Sequence, residues 1–213
     1  HMYKKLNDEM LVNIMENGID EFVEKGFAGA SMKTIADRSG VSVGVIYKYF
    51  EGKDGFFMKC LEHSLDLLDQ VLREAAEDET DISECIRKVV RALVKNSKIH
   101  SSYNAMYHEI TSGGFSSHAE DLAGKIEKRS AQVYRSVIEN ARKNGEVHSS
   151  IDPGILAFFF DNLLMMLQFS YSCGYYKERM KIFCDETAAD DEKIAESLIS
   201  FMEAALKTGG GDQ

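Results

Sequence analysis

The stretch Ser31–Phe50, SMKTIADRSGVSVGVIYKYF, restricts the fold more than any other part of the chain. It reads as two short helices about a tight turn. Met32, Ile35 and Ala36 stand at helical spacing in the first helix. Gly40 suits the break, because a residue without a side chain can enter the turn where others would strain. Ser42 is placed to cap the second helix, and Val45, Ile46 and Phe50 supply its buried face. Two short helices joined in this way form the helix-turn-helix pattern, whose second helix enters a DNA major groove. Helical hairpins with a glycine that bind nothing share the pattern, so the flanking sequence has to decide.

The flanks are helical throughout. Residues 8–25 read as a first helix, capped by Asp8, with Leu11, Ile14, Gly18, Ile19 and Phe22 as an apolar stripe. Gly26 is expected to end it, and Phe27 to pack the loop that follows. Such a helix is not stable alone, so its stripe must cover the helix pair and make a three-helix module. A long helix is expected from Asp54 to about Ala76. Phe56, Phe57, Cys60 and Leu61 in its first half face the module, and Leu65, Leu68, Val71 and Leu72 continue the stripe towards the rest of the chain. After the acidic break EDETD come a helix from Ile82 to about His100, a short one over SSYNAMYHEI, a bent loop around Gly113 and Gly114, and a long one from about Ser117 to Asn144. The Ile151–Tyr176 stretch is apolar almost all round, which predicts burial on all sides. Its uncharged run after Asp161 falls short of the roughly 20 residues that span a bilayer. A last helix over about 191–207 carries Ile194, Leu198, Phe201 and Met202 on one face. The expected architecture is all-α with about nine helices: a helix-turn-helix domain over 1–53, a larger domain over 54–208, and a frayed tail over 209–213.

Composition agrees with this. One proline, 44% hydrophobic and 28% charged residues in a chain of 213 describe a largely helical protein with a substantial core. The leading His1-Met2 resembles a tag remnant and carries no argument, and Asp8, Glu9 and Glu16 stand where a secretion signal would be apolar. Cys60, Cys85, Cys173 and Cys184 are widely spaced, which predicts reduced thiols in a cytoplasmic protein and no zinc site. The net charge of -10 opposes DNA binding, but it is unevenly spread: residues 1–60 hold eight basic and nine acidic side chains, and Ser31 to Lys53 four basic and two acidic.

Gly26-Phe27, Ser31, the run IADRSGVSVGVIYKYF and Lys53 together resemble the amino-terminal signature of the TetR family of bacterial transcriptional regulators, over about residues 8–60. The resemblance implies a three-helix DNA-binding module, a larger helical domain for ligand binding and dimerisation, and a homodimer through the last two helices, about 152–174 and 191–207. It puts Val43, Gly44 and Val45 near base edges, Tyr47, Lys48 and Tyr49 at phosphates or adjacent bases, and Lys53 on the DNA backbone. Ser42 belongs to the same set as the residue that starts the reader helix. Ser31 and Lys33 open the first helix of the pair, where amides and side chains can grip a phosphate. The apolar start of the second helix departs from commoner members of the family, which thins direct base readout and shifts weight to shape.

For a small-molecule effector the sequence offers aromatic and sulfur-bearing side chains. His100, Tyr103, Met106, Tyr107 and Phe115 precede or follow the short central helix; Tyr134, Phe159, Met166 and Phe169 come from the later helices. His100, Glu109 and Asp161 are candidate polar anchors for a cationic or hydrogen-bonding ligand. Nothing points to catalysis, a cofactor or a metal: HEIT at 108–111 lacks the second histidine of a zinc-peptidase motif, and no phosphate loop or nucleophile elbow occurs. The expected function is a ligand-responsive regulator, a repressor, that binds a near-palindromic operator as a dimer and is released by a small molecule. The alternative is a dimeric small-molecule sensor of the same fold with weak or no specific DNA recognition.

Overall fold

A computed structural model of the chain describes residues 6–76, 81–111 and 119–207, and among them ten α-helices and one short 3-10 turn. Asn7, one residue earlier than expected, caps α1 (Asp8–Gly29), its Oδ1 accepting the Met10 N–H at 2.9 Å. Asp8 falls instead in the first turn, where a carboxylate complements the helix dipole. The helix is interrupted at Gly26, at φ 67° and ψ 167°, and one more turn follows before Ala30. Ser31 then caps α2 (Met32–Ser39) through its Oγ, 3.3 Å from the Thr34 N–H. Gly40, at φ 68° and ψ 28°, turns the chain in the left-handed conformation that its lack of a side chain permits. Ser42 precedes α3 (Val43–Phe50) with extended backbone, but its hydroxyl makes no capping bond, so the expected side-chain cap is absent there.

The connecting helix α4 (Gly52–Ala76) belongs to two hydrophobic cores. Its first half brings Phe56, Phe57 and Leu61 against Ile14, Ile19 and Phe22 of α1 and against Ile35, Ile46 and Phe50 of the helix pair. The rings interlock: Phe22 meets Phe57 edge-on at 4.8 Å, and Phe50 meets Phe56 at 4.9 Å. Two glycines allow this. A Cβ at Gly18 would lie 2.5 Å from Phe56 Cζ and 2.8 Å from Cys60 Sγ, so α1 and α4 touch where Gly18 leaves room. A Cβ at Gly55 would lie 2.1 Å from the Phe50 carbonyl oxygen, so the corner between α3 and α4 is equally tight.

The second core is built by the far half of α4 (Val71, Leu72) with α5 (Ile82–Ile99), α7 (Ala119–Lys143), α8 (Pro153–Ser172) and α10 (Asp191–Lys207). Arg87 binds Glu196 and Glu203, Arg91 binds Glu192 and Glu196, and Lys98 binds Asp191, which pins α10 along α5. The short α6 (Ser101–Thr111) sits between the cores: Tyr103, Met106 and Ile110 are buried with the amino-terminal residues, while Asn104 donates to Ser97 of α5 and Ser172 of α8.

Two features differ from the sequence reading. A tenth helix, α9 (Gly174–Cys184), and the 3-10 turn Asp185–Ala189 lie where no element was expected. They hold no buried residue, and Phe183 is 72% exposed, so no stripe marks them in the sequence. The apolar helix α8 is 20 residues long and meets the length and composition of a bilayer-crossing segment, because the helix begins at Pro153 and takes in Asp161. Here it is packed on α5 and α7 through Leu156, Phe160 and Leu164. The expected loop at Gly113 and Gly114 and the tail at 209–213 fall outside the described residues.

Gly18→Val is expected to destabilise the chain by about 1–3 kcal/mol through overpacking against Phe56. Gly124→Ala, a helical site with open space around its Cβ, is expected to stabilise it by up to about 1 kcal/mol. Urea denaturation measures both, and equal midpoints for wild type and Gly18→Val would refute the tight contact.

Candidate nucleic-acid interface and effector crevice

The outer face of α3 is formed by Ser42, Gly44, Tyr47 and Lys48, all exposed. Gly44, Tyr47 and Lys48 stand three and four residues apart and share one side of the helix. Lys33 is exposed in the first turn of α2. Val43 and Val45 are half-buried against the amino-terminal core, so only part of each side chain is open to a partner. A Cβ at Gly44 would have nothing nearer than the Ser42 Oγ at 4.0 Å; internal packing does not require a glycine there.

Three of the expected DNA contacts have other work within the chain. Lys53 donates to the carbonyls of Ala30 at 2.7 Å and Ala28 at 3.3 Å, and its ammonium lies 4.9 Å from the Phe27 ring centroid. It closes the carbonyl end of α1, as a cation at a helix C-terminus does. The Tyr49 hydroxyl accepts the Leu6 N–H at 3.1 Å and holds the chain start against α3. The Ser31 N–H donates to Glu21 Oε1 at 3.1 Å, and the buried Glu21 also meets Arg38 at 3.3 Å, which draws that guanidinium back onto α1.

A crevice of ≈ 510 Å³, part of it open to solvent, lies between α4, α6, α7 and α8. Tyr103, Tyr107 and Phe169, three of the aromatic candidates, line it, together with Glu127 and Asp161. The Tyr107 hydroxyl donates to Glu127 Oε1 at 2.7 Å, and the Tyr107 and Phe169 rings face each other at 6.1 Å. Burial in the middle of α8 pushes the Asp161 carboxyl up to about 6, and the charge of Glu127 adds to the effect. Burial followed by Glu127 likewise raises the Tyr107 phenol.

The other candidates are dispersed. His100 lines a narrower cleft beside Tyr103, and Tyr134 a separate, wholly apolar cavity with Phe160 and Leu164. Met106 is fully buried in the amino-terminal core and packs there instead of facing the crevice. Phe159 and Met166 are exposed on the outer side of α8, because the helix turns them away from α7. Phe115 lies outside the described residues. Glu127, Asn104 and Gln168 line the crevice without having been singled out; they sit on helix surfaces that read as ordinary polar faces. Asp161 alone carried a signal, as the one acid inside α8.

Tyr103 also belongs to a polar knot. Its hydroxyl donates to Glu16 and lies 3.3 Å from His63 Nε2, which is itself 2.8 Å from Glu16. Glu16 is on α1, His63 on α4 and Tyr103 on α6, so one cluster ties the reader module to the helix that walls the crevice.

Residues 14–60 match the family model described as "Bacterial regulatory proteins, tetR family". The chain is 33% identical over 85 residues to the HTH-type transcriptional activator FasR of Mycolicibacterium smegmatis, a match covering 40% of this chain and 39% of that one. It therefore spans about two fifths of that relative's length. Among solved structures, the fatty acid degradation regulator FadR from Bacillus halodurans superposes with a TM-score of 0.73 at 14% identity, covering 92% of this chain and 99% of FadR. AibR, solved with isovaleryl coenzyme A and operator DNA, gives 0.67 at 16% identity over 90% of this chain and 97% of AibR. These structures share the fold, and the relatives are transcriptional regulators, which are not enzymes.

Because Asp161 is raised from 3.8 to about 6 on folding, its ionised form opposes the fold. That cost is absent only well below pH 3.8, where the group is protonated in both states, grows as pH rises from 3.8 to about 6, and is complete above that. Besides burial, the group that acts on it is Glu127; the Asp161 charge in turn raises the Tyr107 and Tyr134 phenols. Asp161→Asn is therefore expected to gain on the order of 2–3 kcal/mol over wild type at pH 7.5 and to match it only at about pH 3. Denaturant midpoints across that range check this, and a gap independent of pH would overturn it.

Proposed function

We infer that the chain is a regulator of the TetR type, a ligand-responsive repressor that grips a near-palindromic operator as a homodimer; the match of residues 14–60 to that family's model supports this reading. The observation that carries this reading is the face of α3, where Gly44, Tyr47 and Lys48 project together from a helix locked to α4. Tyr and Lys side chains suit phosphates, and a bare glycine lets the helix backbone approach the groove. Lys33 extends the grip from the start of α2. Ser31, Tyr49 and Lys53 contribute by positioning these elements, and Val43 and Val45 through the part of each side chain left open.

A dimer has a surface to form on. Ile155, Phe158 and Phe159 of α8 and Phe201 of α10 are all exposed, Phe158 and Phe201 at 62%. A second copy would cover these side chains and set two reader helices about 34–36 Å apart, in successive major grooves. AibR carries both a small molecule and operator DNA on this fold; here the crevice between α4, α6, α7 and α8 is the place for an effector. An occupant that displaced Tyr103 would pull at Glu16 and His63 and so shift α1 against α4, and release follows if it favours the shifted state.

A second reading, a sensor with weak DNA recognition, is supported by the internal bonds of Lys53 and Tyr49, which shrink the contact set. Mobility-shift titration with DNA from upstream of the gene and its neighbours separates the two. Under the repressor reading Gly44→Ala keeps or gains fold stability yet loses at least about tenfold in DNA affinity. Lys33→Ala weakens all sequences alike and lowers the salt slope by about one. Wild-type affinity in both variants, or no selective binding by the wild type, leaves the sensor reading in place. Tyr103→Phe, which cuts the knot without emptying the crevice, is expected to change the DNA affinity of the ligand-free protein; an unchanged value refutes the proposed coupling.

A further inference from the structure

We propose that the crevice between α4, α6, α7 and α8 selects an organic monocation, an alkyl- or arylammonium, held between Asp161 and Glu127 and against the rings of Tyr107 and Phe169. This rests on the reading of the crevice as the effector site and names the class of ligand it takes. The lining holds two carboxylates and no lysine, arginine or histidine, so it offers a cation two counter-charges and a carboxylate or phosphate ligand none. Among the described residues neither acid is in an ion pair, although 25 basic side chains are present in the chain.

The position of Asp161 strengthens the case. It is the one charged residue of α8, a helix otherwise built of Phe, Leu, Met and small or amide side chains. Left alone there, its ionised form opposes folding, as the raised carboxyl group shows. A buried charge retained without a partner is the mark of a site in which the partner is supplied from outside. Glu127 is exposed at the rim and oriented by the Tyr107 hydroxyl, so a cation meets a carboxylate at the mouth and a second one deeper in. Between them the Tyr107 and Phe169 rings supply the π faces and apolar area that a weakly hydrated ammonium with a short hydrocarbon tail requires. Gln168, Ser64 and Ser130 complete the wall with uncharged polar groups, which neither repel the ion nor replace the carboxylates.

Matched probes test this on the full chain: hexyltrimethylammonium, 1-hexanol and hexanoate, titrated calorimetrically at pH 7.5. The cation is expected to bind at least tenfold more tightly than the alcohol, and the carboxylate least. Asp161→Asn, which keeps the shape and is expected to fold more stably than wild type, should bring the cation to the level of the alcohol and leave the alcohol unchanged. Glu127→Gln should weaken the cation several-fold. Hexanol or hexanoate binding as tightly as the cation, no cation binding at millimolar concentration, or an Asp161→Asn variant that holds the cation as before would each overturn the proposal. The same probes in the mobility-shift assay keep the two readings apart. A cation that binds through Asp161 but leaves the DNA complex intact upholds the cation site and ends the effector reading. Hexanol that binds and releases DNA does the reverse.

Discussion

The contact between Gly18 of α1 and Phe56 of α4 holds the rest of the structure in place. No side chain fits between the two helices at that point, so α4 is pressed onto the reader module with its aromatic residues interlocked. The Gly55 corner adds a second close approach, from α4 to the end of α3. Together they make the first half of α4 part of the amino-terminal core, while its second half is part of the other core. A helix shared in this way acts as a rigid lever, because tightly packed interfaces move between discrete arrangements and do not deform continuously.

Polar groups are concentrated where those two cores meet. Glu16, His63 and Tyr103 join three helices in one knot, and Asn104 fastens the same α6 to α5 and α8. Beside them the crevice keeps a carboxylate, Asp161, in surroundings that favour its neutral form. The fold bears that cost in the same crevice that the knot's Tyr103 lines, which is where a ligand's charge would have leverage on the reader module. Buried polar networks of this kind have high stakes: satisfied, they fix one arrangement, and disturbed, they release it.

Much of the fold was legible. The turn at Gly40 and the stripes of α1, α4, α5 and α10 are local features, set by periodicity and by conformational preferences that do not depend on distant residues. α9 was not legible, because its apolar residues point to solvent in the single chain and form no stripe that a core would demand. The site was legible in part. Tyr103, Tyr107 and Phe169 do share a crevice, yet Met106, on the same helix as the two tyrosines, is wholly enclosed in the amino-terminal core, and α8 leaves Phe159 and Met166 exposed. Residue type marks a side chain as apolar and large; which of two cores, or neither, receives it depends on how helices far apart in sequence are packed.

The helix-turn-helix between Ser31 and Phe50 shows the division most clearly. By itself the sequence determined that two helices would form there, with a glycine at the turn between them and Ile35, Ile46 and Phe50 inside, since backbone sterics and hydrophobic periodicity are properties of the local chain. Only the tertiary structure decided which of the polar residues are bound to the chain's own backbone. Lys53 is taken by carbonyls of Ala28 and Ala30, 25 and 23 residues away, and the Tyr49 hydroxyl by an amide 43 residues away, while Gly44 and Tyr47 lie exposed on the outer face of α3. Hydrogen-bonding groups look alike in a sequence; their partners are chosen by packing, which brings some of them to unsatisfied backbone and leaves others to the solvent.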